Sequence, residues 1–153
     1  MAIELDPNFR TFLSLLEHHD AEYILIGGYA VNFHGYVRYT GDLDVFVSAS
    51  ETNAACVARA LNDFGFAQVT PEMISTPSSM VRMGVPPTKL EVTNFIDGVD
   101  FDECYRERLR STVAGLEVNV ISLSKLRKNK RASGRLKDLA DLEQLPESNE
   151  ESL

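Results

Sequence analysis

Residues Tyr23–Val47 read YILIGGYAVNFHGYVRYTGDLDVFV. An apolar run ends in the pair Gly27-Gly28, and a second apolar run, DLDVFV, carries Asp42 and Asp44 two residues apart. In a strand, side chains two apart project from the same face, so both carboxylates share one surface. Neighbouring acids on a mostly apolar strand repel each other and resist burial unless something positive lies between them. An all-oxygen donor set favours magnesium or manganese over zinc. Gly27 and Gly28 let the backbone come close to a ligand, and the short helix expected behind them aims free amides at an anion. A metal clamp beside a phosphate cradle points to chemistry on a nucleoside triphosphate.

Working outward, Asp6-Pro7 is a helix start, with Phe9, Phe12, Leu13 and Leu16 on one face. Tyr23–Ile26 reads as a strand, Tyr29–His34 as a short helix and Leu43–Val47 as the strand of the acid pair. Ser50 caps a helix through about Phe64, and Gly65 ends it. Phe66–Val69, Ser79–Met83 and Lys89–Thr93 read as strands, Phe101–Leu109 as a helix, and Leu116–Ile121 as a strand. Ser122 caps a further helix that Gly134 breaks, and a last helix runs from Arg135 to Leu145. The expectation is one α+β domain over residues 1–145, a mixed sheet with helices packed mainly on one side. An acidic, disordered tail is expected at 146–153.

These residues in this order resemble the nucleotidyltransferase superfamily related to DNA polymerase β. That family has a Gly-Gly or Gly-Ser pair opening a helix, Asp-x-Asp on the next strand and a third carboxylate on a later one. Here the third position falls on Glu91 in PTKLEVTNF. Aspartate is commoner there, and glutamate is one methylene longer. The segment NKRASGRLKDLADLEQL is similar to the C-terminal motif of small bacterial AbiEii-related enzymes, filled by Lys130, Arg135, Asp138 and Asp141. The likeness runs from about Tyr23 to Leu145 and implies a minimal polymerase β-like fold without appended domains.

It also implies roles. Asp42, Asp44 and Glu91 would hold Mg2+ (or Mn2+). Gly27, Gly28, Arg38, Thr40 and Arg135 would contact the NTP. Lys130 would neutralise the triphosphate, and Asp138 would orient it or assist the acceptor. NMP would pass from NTP to an acceptor hydroxyl on tRNA or protein, in a toxin–antitoxin or phage-defence setting that permits a cognate partner protein. Two alternatives stand beside this reading. One is a catalytically inactive nucleotide- or partner-binding module of the same fold. The other is a small-molecule (antibiotic) nucleotidyltransferase, which normally carries an extra helical domain.

Composition narrows the field. The 153 residues are 44% hydrophobic and 25% charged, enough for one packed core. A net charge of −8 argues against a broad nucleic-acid-coating surface. Basic residues are nonetheless clustered, with Lys125, Arg127, Lys128, Lys130, Arg131, Arg135 and Lys137 close together. Two cysteines provide neither a disulfide framework nor metal-ligand spacing, and Cys56, among small apolar residues, reads as a buried thiol. MAIELDPNF has no basic flank or apolar run, and no stretch reaches membrane-spanning length, so the cytoplasm is expected. The glycine pattern of a dinucleotide fold and the G-K-[ST] of a P-loop do not occur. His18 and His19 read as helix-end residues, His34 as a cap, and Tyr29 either packs or lines the pocket.

Overall fold

A computed structural model of the protein describes residues 5–147. Within them lie seven helices and a six-stranded mixed sheet of order β3-β4-β2-β1-β6-β5. The strands are β1 (Tyr23–Ile26), β2 (Asp42–Val47), β3 (Met80–Met83), β4 (Lys89–Thr93), β5 (Leu109–Val113) and β6 (Leu116–Val120). The helices are α1 (Pro7–His18), α2 (Gly27–Phe33), α3 (Glu51–Phe64), α4 (Pro71–Ser75), α5 (Phe101–Arg106), α6 (Leu123–Ser133) and α7 (Leu136–Gln144). This is the expected α+β architecture. β1 runs antiparallel to β2 and parallel to β6, and β2 runs parallel to β4.

Local chemistry sets most boundaries. Asp6 accepts a hydrogen bond from the Asn8 amide at 2.8 Å, opening α1 with Pro7 in its first turn. Phe9, Phe12, Leu13 and Leu16 are then fully buried. Ser50 and Ser122 cap α3 and α6 in the same way, and Gly134 closes α6 in the left-handed region, where a Cβ would be strained. The buried Asn53 ties α3 to the sheet. It donates to the carbonyls of Glu22 and Ser48 at 3.0 and 2.9 Å and accepts from the Glu22 amide. Such a side chain adds hydrogen bonds to backbone groups at the ends of β1 and β2, the Glu22 amide and Ser48 carbonyl among them.

Four expectations need correction. Residues 66–69 form a turn, not a strand, because Asn62 Nδ2 donates to the carbonyls of Phe66 and Val69 and takes the groups a neighbouring strand would use. Thr70-Pro71 then opens α4, a helix the sequence reading missed. The helix expected over Phe101–Leu109 stops at Arg106, where Arg108 Nη1 donates to the Tyr105 carbonyl at 2.8 Å and its guanidinium lies on the Tyr105 ring. Leu109 instead starts β5, which turns back into β6 through Ala114-Gly115, both at positive φ. Lastly, α2 begins at Gly27 rather than Tyr29. Cys56 is half-buried, and the fully buried thiol is Cys104. The acidic tail expected at 146–153 falls, from Ser148 on, outside the described residues, while the Pro146 carbonyl accepts from Arg127 Nη1.

Alternation divides the central strands into two faces. Leu43, Val45, Val47, Leu90 and Val92 are buried in the apolar core on one. Asp42, Asp44 and Phe46 point to the other, joined by Lys89, Glu91 and Thr93 of β4 in register. Phe46 meets Phe101 of α5 edge-on at 4.9 Å, which fixes the far end of this face. The acids lie at its open end.

Candidate active site

Asp44 and Glu91 are register partners on the parallel strands β2 and β4, and Asp42 sits one pleat away on the same face. All three line a cleft of about 430 Å³ with Gly27, Gly28, Arg38, Lys130, Arg135 and Asp138. The cleft therefore collects nine of the ten residues expected at the site; Thr40 stands just behind its wall. Burial pushes the Asp44 carboxyl up to about 8, helped by its hydrogen bond to Glu91 and by the negative charges of Glu91 and Asp42. Burial works to raise Glu91 too, but hydrogen bonds from Asp44 and Lys89 and the charges of Lys89 and Arg82 hold it below its usual range. Asp44 thus carries the proton that the pair shares. The carboxylates call for positive charge at this point.

Part of that charge comes from the protein itself. Glu91 Oε1 lies 3.0 Å from Lys89 Nζ and 3.2 Å from Arg82 Nε. Sequence reading missed both cations, since only the β3–β4 register, with Arg82 opposite Glu91, brings Arg82 in. Among the described residues no three His, Cys, Asp or Glu side chains converge as a ready metal cage. The acid pair Asp42 and Asp44 suits a hard divalent cation by its donor type, and Glu91 would join only by leaving its two ion pairs.

The glycines are required by this crowding. Gly27 has φ +69°, and a Cβ there would collide with the Asp44 carboxylate. A Cβ at Gly28 would come within 2.8 Å of Thr40 Cβ and 3.3 Å of Arg38 Nη1. Gly27→Ala is expected to cost about 1–3 kcal/mol through strained backbone and to displace Asp44. A lowered urea midpoint would check the first effect, and weakened magnesium-dependent nucleotide binding the second. Thr40 Oγ1 donates to the Asp42 carbonyl at 3.1 Å, so its hydroxyl braces the turn into β2.

The C-terminal residues form a buried ion network. Lys130 Nζ bridges Asp138 Oδ1 at 2.8 Å and Asp141 Oδ2 at 3.2 Å, all three groups being at least nine-tenths buried. Arg38 meets Asp141 with its fork, Nε to Oδ1 and Nη2 to Oδ2, both at 2.8 Å. Ser133 and Arg135 donate to Asp138 Oδ2. Arg135 itself stays largely exposed, so this pair joins surface to interior rather than lying wholly on the surface. Lys130 and Asp138 are held in the cleft wall, and Lys137, which sequence reading passed over, also lines the cleft.

Burial would raise Asp138, but hydrogen bonds from Lys130, Ser133 and Arg135 and the Lys130 charge overcome it and hold the carboxyl down to about 2. Its folded-state value lies below its ordinary value of 3.8, so the unfolded chain takes up the proton first as pH falls. The stabilisation is complete above about pH 4 and is lost between there and about pH 2, on the order of 2 kcal/mol. Asp138→Asn should therefore be less stable than the unaltered chain at pH 7, with the gap closing near pH 2 in urea titrations.

The remaining candidates are structural. His18 ends α1, and His19 Nε2 contacts Asp63 Oδ2 at 2.7 Å. His34 caps α2 and donates from Nε2 to the Ile121 carbonyl, and burial lowers its pKa. Tyr29 is buried edge-on against Phe9.

No family model matches the chain, and no curated protein sequence does. Among solved structures, it superimposes on a Thermotoga maritima protein assigned provisionally as a nucleotidyltransferase, with a TM-score of 0.59 and 16% identity. The match covers 89% of this chain and 88% of that one. The two share a fold. No helix among the described residues is long and apolar enough to cross a membrane.

Proposed function

We propose that the protein is a magnesium-dependent nucleotidyltransferase that moves NMP from an NTP to an acceptor hydroxyl on tRNA or protein, as a small AbiEii-related enzyme of a toxin–antitoxin or defence pair. The observation that carries the reading is Asp42, Asp44 and Glu91 on one sheet face beside Gly27-Gly28, in a cleft that also holds Arg38, Arg135 and Lys137. Asp42 and Asp44 would hold the Mg2+ (or Mn2+), which when bound neutralises triphosphate charge and lowers the barrier to nucleotidyl transfer. The chain's own groups do the rest. Gly27 and Gly28 let the backbone pack close against Asp44 and Thr40 at the edge of the cleft, while Arg38, Arg135 and Lys137 offer cationic donors to phosphate oxygens. Asp44, freed of its shared proton by incoming positive charge, would become a full anion, and Glu91 would join the cation beside it on giving up Lys89 and Arg82. A cytoplasmic site of action and a cognate partner protein belong to the same proposal.

The test is label transfer from each α-labelled NTP with magnesium, offering total tRNA and a cell lysate as acceptors. A labelled RNA or protein band identifies acceptor and base together. One feature favours the second reading, a non-catalytic nucleotide-binding module: Glu91 is already neutralised by Lys89 and Arg82. Magnesium-dependent NTP binding without transfer to any acceptor would select it.

A further inference from the structure

Resting on the reading of the cleft as a triphosphate site, the structure assigns Asp141 as the positioning residue for Arg38. A free arginine has a long, mobile side chain and presents its guanidinium in many directions; ordering it costs conformational entropy. Here that cost is met before any ligand arrives. Asp141 takes Nε and Nη2 in a two-point fork, the geometry that fixes the plane of a guanidinium as well as its place. The Arg38 main-chain amide is fixed separately, donating to Asn32 Oδ1 at 2.9 Å. Nη1, which also donates to the Tyr39 carbonyl at 3.2 Å, is left on the side facing Gly28. Asp141 is in turn held on its other side by Lys130, so its carboxylate cannot swing away with the arginine. The nucleotide-facing edge of Arg38 is thereby aimed by α7, an element that does not itself supply the glycine cradle or the acid pair.

Asp141 acts through Arg38, and its signature lies in nucleotide affinity. In the full-length protein with magnesium, Asp141→Asn should raise the Kd for an α-labelled NTP about tenfold, as expected when one charged hydrogen bond is misaligned. The amide keeps the volume but turns an N–H toward Arg38 or Lys130. Asp141→Glu keeps the fork and should recover most of the affinity. Arg38→Lys, which cannot make the fork, should match Asp141→Asn, and the double variant should be no weaker than either single one. The result that overturns the assignment is an Asp141→Asn protein with the Kd of the unaltered chain, or losses from Arg38→Lys and Asp141→Asn that simply add. Should Asp141→Asn fail to fold, Asp141→Ser, which also loses the fork, decides: a Kd raised about tenfold supports the assignment, and the Kd of the unaltered chain overturns it. Failure of the unaltered chain to bind NTP at all would instead overturn the triphosphate site, and this assignment with it.

Discussion

Asp42→Asn/Asp44→Asn is expected to abolish nucleotidyl transfer while leaving the protein folded and no less stable. The two effects separate because the acids burden the metal-free fold. Asp44 is mostly buried beside Glu91 and Asp42, and its carboxyl keeps a proton to about pH 8. Neutral amides of the same shape relieve that repulsion, so the melting temperature without magnesium should hold or rise. The catalytic loss should exceed about 100-fold, since altering even an outer partner of a metal site costs that much and these residues would be the ligands. Label transfer and a thermal melt on the same preparation read both. Transfer that survives the double substitution would remove the acid pair from the chemistry, and a large drop in melting temperature would mean the pair serves the fold instead.

Lys130→Met carries the largest expected loss of stability, about 3–5 kcal/mol. The ammonium is the shared partner of Asp138 and Asp141, both buried in the α6–α7 hairpin. Removing it leaves Arg38 on one aspartate and Arg135 and Ser133 on the other, with two carboxylates facing each other across the vacated place. Methionine fills the volume, so the loss reports charge rather than a cavity. Asp138→Asn added to Lys130→Met should return part of the stability by removing one uncompensated charge. Urea unfolding of both variants at pH 7 measures this. A Lys130→Met protein within 1 kcal/mol of the unaltered chain would show the network to be solvated and weak, as surface pairs are.

How much of this the chain displays on its own depends on the range of each interaction. Helices α1, α3 and α6 are legible because Asp6, Ser50 and Ser122 cap within three residues and Gly65 and Gly134 close the latter two locally. The acid pair is legible for the same reason, a period of two within one strand. β5 is not, because its hairpin is turned by Ala114 in the left-handed region, where glycine or asparagine would have announced it. The strand expected at 66–69 failed because Asn62, a helix residue, claims those carbonyls. Within the cleft, Arg82 meets Glu91 only through the β3–β4 register, whereas Lys89 lies two residues from Glu91 on the same strand. Lys130 and Asp138, eight residues apart around Gly134, were suggested by a motif, but the link from Asp141 back to Arg38 has no local trace at all.

That link also sets an order of events during synthesis. Arg38 and Asp141 are separated by 103 positions, so at ordinary elongation rates roughly 5–20 s pass between them on the ribosome. Throughout that interval the glycine turn and acid pair exist in a nascent chain whose Arg38 has no clamp and whose cleft lacks its α6–α7 wall. The cleft is therefore among the last features to be completed, and a chain cut short before α7 would carry the acid pair without the wall that closes the cleft beside it.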